Sequence, residues 1–256
     1  GIDAFVGADI TAGILHHDLF RSEKVKMLID IGTNGEIVIG NKERILATAT
    51  AAGPALEGGK ISCGTGGVVG AISSVVYDHD AFVLEVIGDQ KPIGICGSGI
   101  IDTIAEGVKY GWIDHTGRLS KTLKNREIVI YHDKEGNDIK LTQKDIREIQ
   151  MAKSALRSGI ECLVEEYGVS FDRIEHVYIA GGFGSNINIE SSAQIGLIPK
   201  ELKDKVSISG NSSLGGTIKY LLDKKCKTSL DMIVDKSKAI NLSTTAQFNN
   251  LFIKNM

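Results

Sequence analysis

Between Gly7 and Leu15 small residues stand at helical spacing, which predicts a helix able to lie close against another element. After a charged turn from Arg21 to Lys26, the short apolar runs Met27 to Asp30 and Glu36 to Ile39 are joined by Ile31-Gly32-Thr33-Asn34-Gly35. The Asn-Gly pair between two such runs is a strong hairpin signal. A third run, Ile45 to Ala51, extends the hairpin to a three-stranded meander. The longest helical period begins beyond Thr142. Asp145 follows that threonine by three residues, as in a capping box, and Ile146, Ile149, Leu156, Ile160, Leu163 and Tyr167 keep one stripe until Gly168 ends it.

Two further strands are predicted, one from His176 to Ala180 that runs into Gly181-Gly182-Phe183-Gly184 and one from Val206 to Ser209. A helix of small residues follows from Ser213 to Leu222. From about Gly53 to Leu141 the pattern breaks into glycine clusters, short strands and an apolar helix over Gly99 to Tyr110. Near its end, Ile128 to Tyr131 and Asp138 to Leu141 flank Lys134-Glu135-Gly136-Asn137 as a second hairpin. The order is meander, insertion, helix, strand, helix, strand, helix. It matches an α/β, ribonuclease-H-like lobe with its core in residues 1–55 and 142–256 and an α+β subdomain inserted over about 56–141. Neither an internal repeat nor a low-complexity tract or linker interrupts it.

Composition narrows the functions open to such a lobe. The chain has 256 residues, 42% hydrophobic and 24% charged, enough to bury one large core or two modest ones. Its 29 basic and 32 acidic side chains leave a formal net charge of −3, so no field favours nucleic acid or anionic lipid. Apolar stretches such as Val68 to Val76 are short and broken, and no membrane insertion is expected. Cys63, Cys96, Cys162 and Cys226 are too scattered for a metal or redox signature, and no secretory signal is visible, which fits the cytoplasm. The 30 glycines outnumber three prolines and cluster, as expected where backbone approaches a ligand or a second backbone. A start at Gly1 in mid-pattern leads us to expect an excised fragment.

Two glycine-bearing turns carry the candidate chemistry. Asp30-Ile-Gly-Thr-Asn-Gly-Glu36 sets a carboxylate at a strand end before a turn rich in backbone N–H groups. Such a turn can hold phosphate oxygens while the carboxylate holds magnesium through water, although a surface hairpin capped by Asp30 has the same sequence. Ala180-Gly-Gly-Phe-Gly184 allows a base or sugar to lie on the backbone, or is a tight strand-to-helix turn with Phe183 in the core. Ile95 to Ile100 opens a helix whose N-terminus is able to attract an anion or to pack on the meander. Cys63 and Cys96 read as small buried hydrophobes, and Trp112, His16 and His17 have no partner pattern.

In combination these segments resemble the superfamily of acetate and sugar kinases, heat-shock 70 chaperones and actin. Gly7 to Leu15 looks like its first connecting helix, Met27 to Ile39 like its second phosphate loop, Val177 to Gly184 like its adenosine motif and Ser213 to Leu222 like its second connecting helix. A closer resemblance covers nearly the whole chain. FVGADITAG, LIDIGTNGEIVIGN, TAAGPALEGGKISCG, PIGICGSGIID, TQKDIREIQMAK, YIAGGFG and IGLIP are similar to the C-terminal region of reductive activators of corrinoid proteins.

That resemblance implies an ATPase (ATP hydrolase) that uses Mg²⁺ and couples nucleotide turnover to the reduction of cob(II)alamin to cob(I)alamin on a corrinoid protein of a methyltransferase system. It also implies a homodimer. A [2Fe-2S] cluster and the first phosphate loop are expected upstream, since this chain lacks the cluster cysteines. Asp30 would hold Mg²⁺ through water, Gly32, Thr33, Asn34 and Gly35 would face the phosphates, and Gly181, Gly182, Phe183 and Gly184 the adenosine. Gln150 and Lys153 would touch adenine and ribose. Two alternatives stay open: a docking and dimerisation module for a corrinoid protein with nucleotide as a conformational signal, and a small-metabolite kinase of the same superfamily.

Overall fold

The computed structural model describes residues 1–3, 6–183, 186–242 and 245–256. Its chain order is α1 (Ala8–His16), β1 (Val25–Ile31), β2 (Gly35–Gly40), β3 (Ile45–Thr50), β4 (Ala71–Asp78), β5 (Ala81–Val86), β6 (Gly94–Ile95) and α2 (Gly97–Lys109). There follow β7 (Glu127–Tyr131), β8 (Ile139–Thr142), α3 (Gln143–Tyr167), β9 (Ile174–Ala180), α4 (Ile189–Gln194), β10 (Val206–Gly210), α5 (Ser212–Leu222), α6 (Cys226–Lys236), β11 (Ser237–Ala239) and α7 (Ala246–Lys254).

The main sheet has the order β10-β9-β1-β2-β3-β11. β1, β9 and β10 run parallel, whereas β2 is antiparallel to both β1 and β3. A strand covered on both faces reads as a continuous apolar run, and β1 is one. Its Met27, Ile29 and Ile31 join the larger core, while Leu28 points the other way into a second core with Ile10, Ile14 and Val38. Helix α3 covers the first face and α1 the second. α1 and α5 approach so closely that a Cβ on Gly216 would lie 1.9 Å from the Ala12 carbonyl oxygen.

The middle of the chain forms a three-stranded sheet in the order β5-β4-β6, the helix α2 and the hairpin β7-β8. One apolar cluster runs from Ile29 and Ile37 through Leu156 to Ile100, Ile104, Ile128 and Leu141, so this middle part shares the core of the main sheet. The predicted capping box is present. Thr142 accepts from the Asp145 N–H, and Asp145 in turn accepts from the Thr142 N–H at 2.8 Å.

Three elements were not visible in the pattern. α6 packs under α1 through Cys226 and Ile233, β11 adds a parallel edge beside β3, and α7 lies along α3. The last contact uses Ser154 Oγ, which donates to the Phe252 carbonyl, and Asn255 Nδ2, which donates to Ser158 Oγ at 3.2 Å. These segments are short or mostly polar, and only a neighbour already in place makes their apolar residues an interior face. No helix among the described residues is long and apolar enough to cross a membrane.

Candidate functional site

Three carboxylates gather at the C-terminal end of β1. Asp30 is the penultimate residue of that strand and pairs across the hairpin with Glu36 on β2. Asp9 stands in the first turn of α1, on the same side of the sheet. Their charges are felt mutually. Burial, then Asp9, raises the Asp30 carboxyl above its usual range. Burial, with Asp30 and Asp9 adding to it, pushes Glu36 up to about 7.

None of the three forms an ion pair with another described residue. Asp30 and Glu36 are half-buried and Asp9 is exposed; an acidic cluster without a basic partner is stabilised by a cation, so the donor set fits a magnesium ion. Among the described residues no group of three or more His, Cys, Asp or Glu could hold a metal ion. Mg²⁺ commonly keeps several waters and binds through one or two carboxylates plus phosphate oxygens, which agrees with that arrangement.

The glycine turn after β9 reaches the same strand end. β9 runs parallel to β1 with Ala180 beside Asp30. Gly181 then adopts φ +96°, and a Cβ there would lie 2.7 Å from Asp30 Oδ1 and 2.4 Å from the Ile31 carbonyl oxygen. Only glycine accepts both that backbone and that proximity. Gly182 faces open space where a Cβ would be. Gly184 lies outside the described residues.

In the β1-β2 turn, the Gly32 N–H donates to the Asn34 carbonyl at 3.0 Å, and the Thr33 carbonyl accepts from Gly53 N–H at 2.8 Å. Thr33 Oγ1 donates to Glu57 Oε2 at 2.7 Å. Gly35 sits against Leu156 and Thr50, in contact with the core.

Glu57 connects this turn to a cleft of about 150 Å³ between Gly66, Gly67, Gly97, Ser98, Gly182 and Phe183. Helix α2 opens into the cleft with no side chain capping it, so its first N–H groups and its positive dipole end face the space. Phe183 is buried, and its ring lies against Gly97, where a Cβ would be 2.4 Å from it. The side chain therefore braces the glycine turn against α2. Asp30, Gly32, Thr33, Gly181 and Gly182 are thus brought to one strand end and the cleft beside it.

Gln150 and Lys153 are not brought there. They line a separate cavity between α2, α3 and α4. The Gln150 amide is engaged within it, donating to the Met256 carbonyl at 2.7 Å and accepting from Arg147 Nη1 at 2.8 Å.

Asp9, Glu36 and Glu57 did not stand out as site residues in the sequence. The hairpin register was a usable signal for Glu36, because the turn between Asp30 and Glu36 sets the two opposite each other. Asp9 had only its place in the first turn of a small-residue helix, and Glu57 had none. Cys63 is half-buried and donates to the Lys140 carbonyl at 2.9 Å, and burial pushes its thiol up, so it has no thiolate character.

Comparison with known proteins places this geometry. The profile described as the C-terminal domain of RACo, the ASKHA domain, matches residues 24–256. The corrinoid activation enzyme RamQ of Eubacterium limosum is 36% identical over 273 residues, covering 99% of this chain and 46% of that protein. A [Co(II) methylated amine-specific corrinoid protein] reductase of Methanosarcina barkeri is 28% identical, covering 97% of this chain and 48% of its own. The solved structure of a reductive activator for corrinoid, iron-sulfur protein matches with a TM-score of 0.89 at 35% identity, over 96% of this chain and 42% of its own. The chain spans about half the length of the curated relatives it matches. By sequence along nearly its whole length and by fold, the chain belongs to the family of C-terminal ASKHA domains exemplified by RACo.

Proposed function

We propose that this chain is the nucleotide-binding lobe of an ATP-dependent reductive activator, which returns a corrinoid protein of a methyltransferase system from cob(II)alamin to cob(I)alamin. The observation that carries the reading is the meeting of the Asp30 carboxylate with Gly181 at one strand end, beside a cleft into which α2 directs its N–H groups. The similarity to a corrinoid activation enzyme and to a corrinoid protein reductase supports the substrate class.

In this reading Asp30 orients the water shell of Mg²⁺, the backbone at the exposed Thr33 and Asn34 faces the phosphate oxygens while the Gly32 N–H holds the turn closed on the Asn34 carbonyl, and Gly181 and Gly182 lie under the nucleoside. Bound Mg²⁺ supplies charge neutralisation at the phosphates. Gln150 and Lys153 lie outside this set. An iron-sulfur domain and the first phosphate loop belong, in this proposal, to sequence outside the chain, and the assembled protein is a cytoplasmic homodimer.

The test is Asp30→Ala in the intact protein. Folding by circular dichroism is expected to be retained, and ATP-driven formation of cob(I)alamin, read by its absorbance on a corrinoid partner, is expected to vanish. Unaltered activation would overturn the assignment.

A further inference from the structure

The cavity that holds Gln150 and Lys153 has about 200 Å³ of space and lies on the far half of α2 from the nucleotide cleft. Ile104, Ile113, Ile146, Ile149 and Ile195 form its walls. A cavity of about 150 Å³ suffices for benzene, so this one takes a ring with a small polar substituent.

Its polar groups are unequal. The Asp114 carboxylate already accepts from the Thr116 N–H at 2.8 Å, the Thr116 hydroxyl at 2.6 Å and the Arg118 N–H at 3.1 Å. Gln150 is engaged as described, and Gln194 Nε2 donates to the Ala105 carbonyl at 2.8 Å.

Lys153 differs from all of these. Its ammonium forms no hydrogen bond or ion pair among the described residues. The cation that bears on it is Arg157, which is itself paired with Glu161 at 2.5 Å, and no carboxylate offsets the burial that lowers its proton affinity. On the open side, a Cβ on Gly196 would still be 4.0 Å from Nζ. A partly desolvated, unpaired ammonium is costly to the fold. Its position beside an apolar cavity is what a site for an organic anion requires.

We propose that the cavity between α2, α3 and α4 binds a small organic carboxylate with a compact apolar body, the body among the isoleucines and the carboxylate on Lys153 Nζ. The acyl or aryl group enters between α2 and α3. Chain length is limited by the volume to roughly a benzoate. This site is independent of the nucleotide reading, because its lining shares no residue with the cleft at Gly182 and Phe183.

The experiment titrates benzoate, and separately the neutral isostere benzamide, into the isotopically labelled 256-residue chain, following the methyl signals of Ile104, Ile149 and Ile195 by NMR. Benzoate should shift these signals saturably and bind at least about tenfold more tightly than benzamide, the factor a charge-assisted contact provides. Lys153→Met should remove that preference. It should also raise the melting temperature of the ligand-free chain, which a lysine serving only structure would not do. Saturating Mg-ATP should leave benzoate in place. Equal affinity for the two probes, absence of shifts at the three isoleucines, an unchanged preference in Lys153→Met, or displacement by Mg-ATP would each overturn the proposal.

Discussion

Replacing Asp145 by asparagine should cost this protein about 3 kcal/mol of stability, because one buried carboxylate joins α3 to a loop more than eighty residues away. Asp145 is 1% exposed. Its Oδ1 accepts from the Ser62 N–H at 2.7 Å, and its Oδ2 accepts from the Ser62 hydroxyl at 2.5 Å, the Thr142 N–H at 2.8 Å and the Thr142 hydroxyl at 2.7 Å. Whichever oxygen becomes the amide nitrogen, a donor then faces a backbone donor, at Ser62 or at Thr142. Hydroxyls can rotate away, but a backbone N–H cannot. Leaving one buried donor unsatisfied costs about 1–3 kcal/mol, and weakening the remaining charge-assisted bonds adds about 1 kcal/mol. For a chain of this size about 3 kcal/mol lowers the melting temperature by roughly 6–12 °C.

The same substitution should flatten the acid limb. Burial alone would raise the Asp145 carboxyl, yet the bonds from Ser62 and Thr142 outweigh it and hold the group below its ordinary 3.8. A depressed folded value means the contribution is present above 3.8 and is lost as pH falls through the lowered value. Urea denaturation at neutral pH and at a series of acid pH values measures both effects. A loss under about 1 kcal/mol at neutral pH, or an acid limb as steep as in the unaltered protein, would refute the reasoning.

Glu36 should act in the opposite direction: its folded value near 7 against an ordinary 4.5 means its stabilising protonation is complete below 4.5 and lost as pH rises through about 7. Glu36→Gln is therefore expected to be more stable than the native chain at pH 8 by about 1 kcal/mol, after allowance for solvent screening of a half-exposed group, and urea titrations at pH 5 and pH 8 check the sign. Gly216→Ala places a methyl 1.9 Å from the Ala12 carbonyl oxygen, where only backbone movement relieves it, and should cost about 2–3 kcal/mol by thermal unfolding. Gly97→Ala meets both the Leu56 carbonyl at 1.9 Å and the Phe183 ring. In the intact protein it should weaken Mg-ATP binding by calorimetry at least about tenfold, as the Gly182 turn is displaced.

Local physics made much of this protein legible in its sequence. The Asn-Gly turn, the Thr142 and Asp145 cap, the α3 stripe and the glycine stop at Gly168 are interactions within a few residues of one another, so the pattern alone determined β1, β2 and α3. The position of Asp30 at a strand end was visible for the same reason. Adjacency across the chain was not.

That Ser62 completes the Asp145 cap, that Asp9 bears on Asp30, and that Glu57 links Thr33 to the cleft are pairings over long separations, and no periodicity encodes them. Gln150 and Lys153 show the limit most directly. Their spacing set both on one side of a helix, but which of two cavities that side lines was decided by how α2 and α4 pack against it. Likewise α6, β11 and α7 carry too few apolar residues to declare themselves. They become elements only because the sheet edge at β3 and the surfaces of α1 and α3 already exist to receive them, a cooperative gain available only to the assembled tertiary structure.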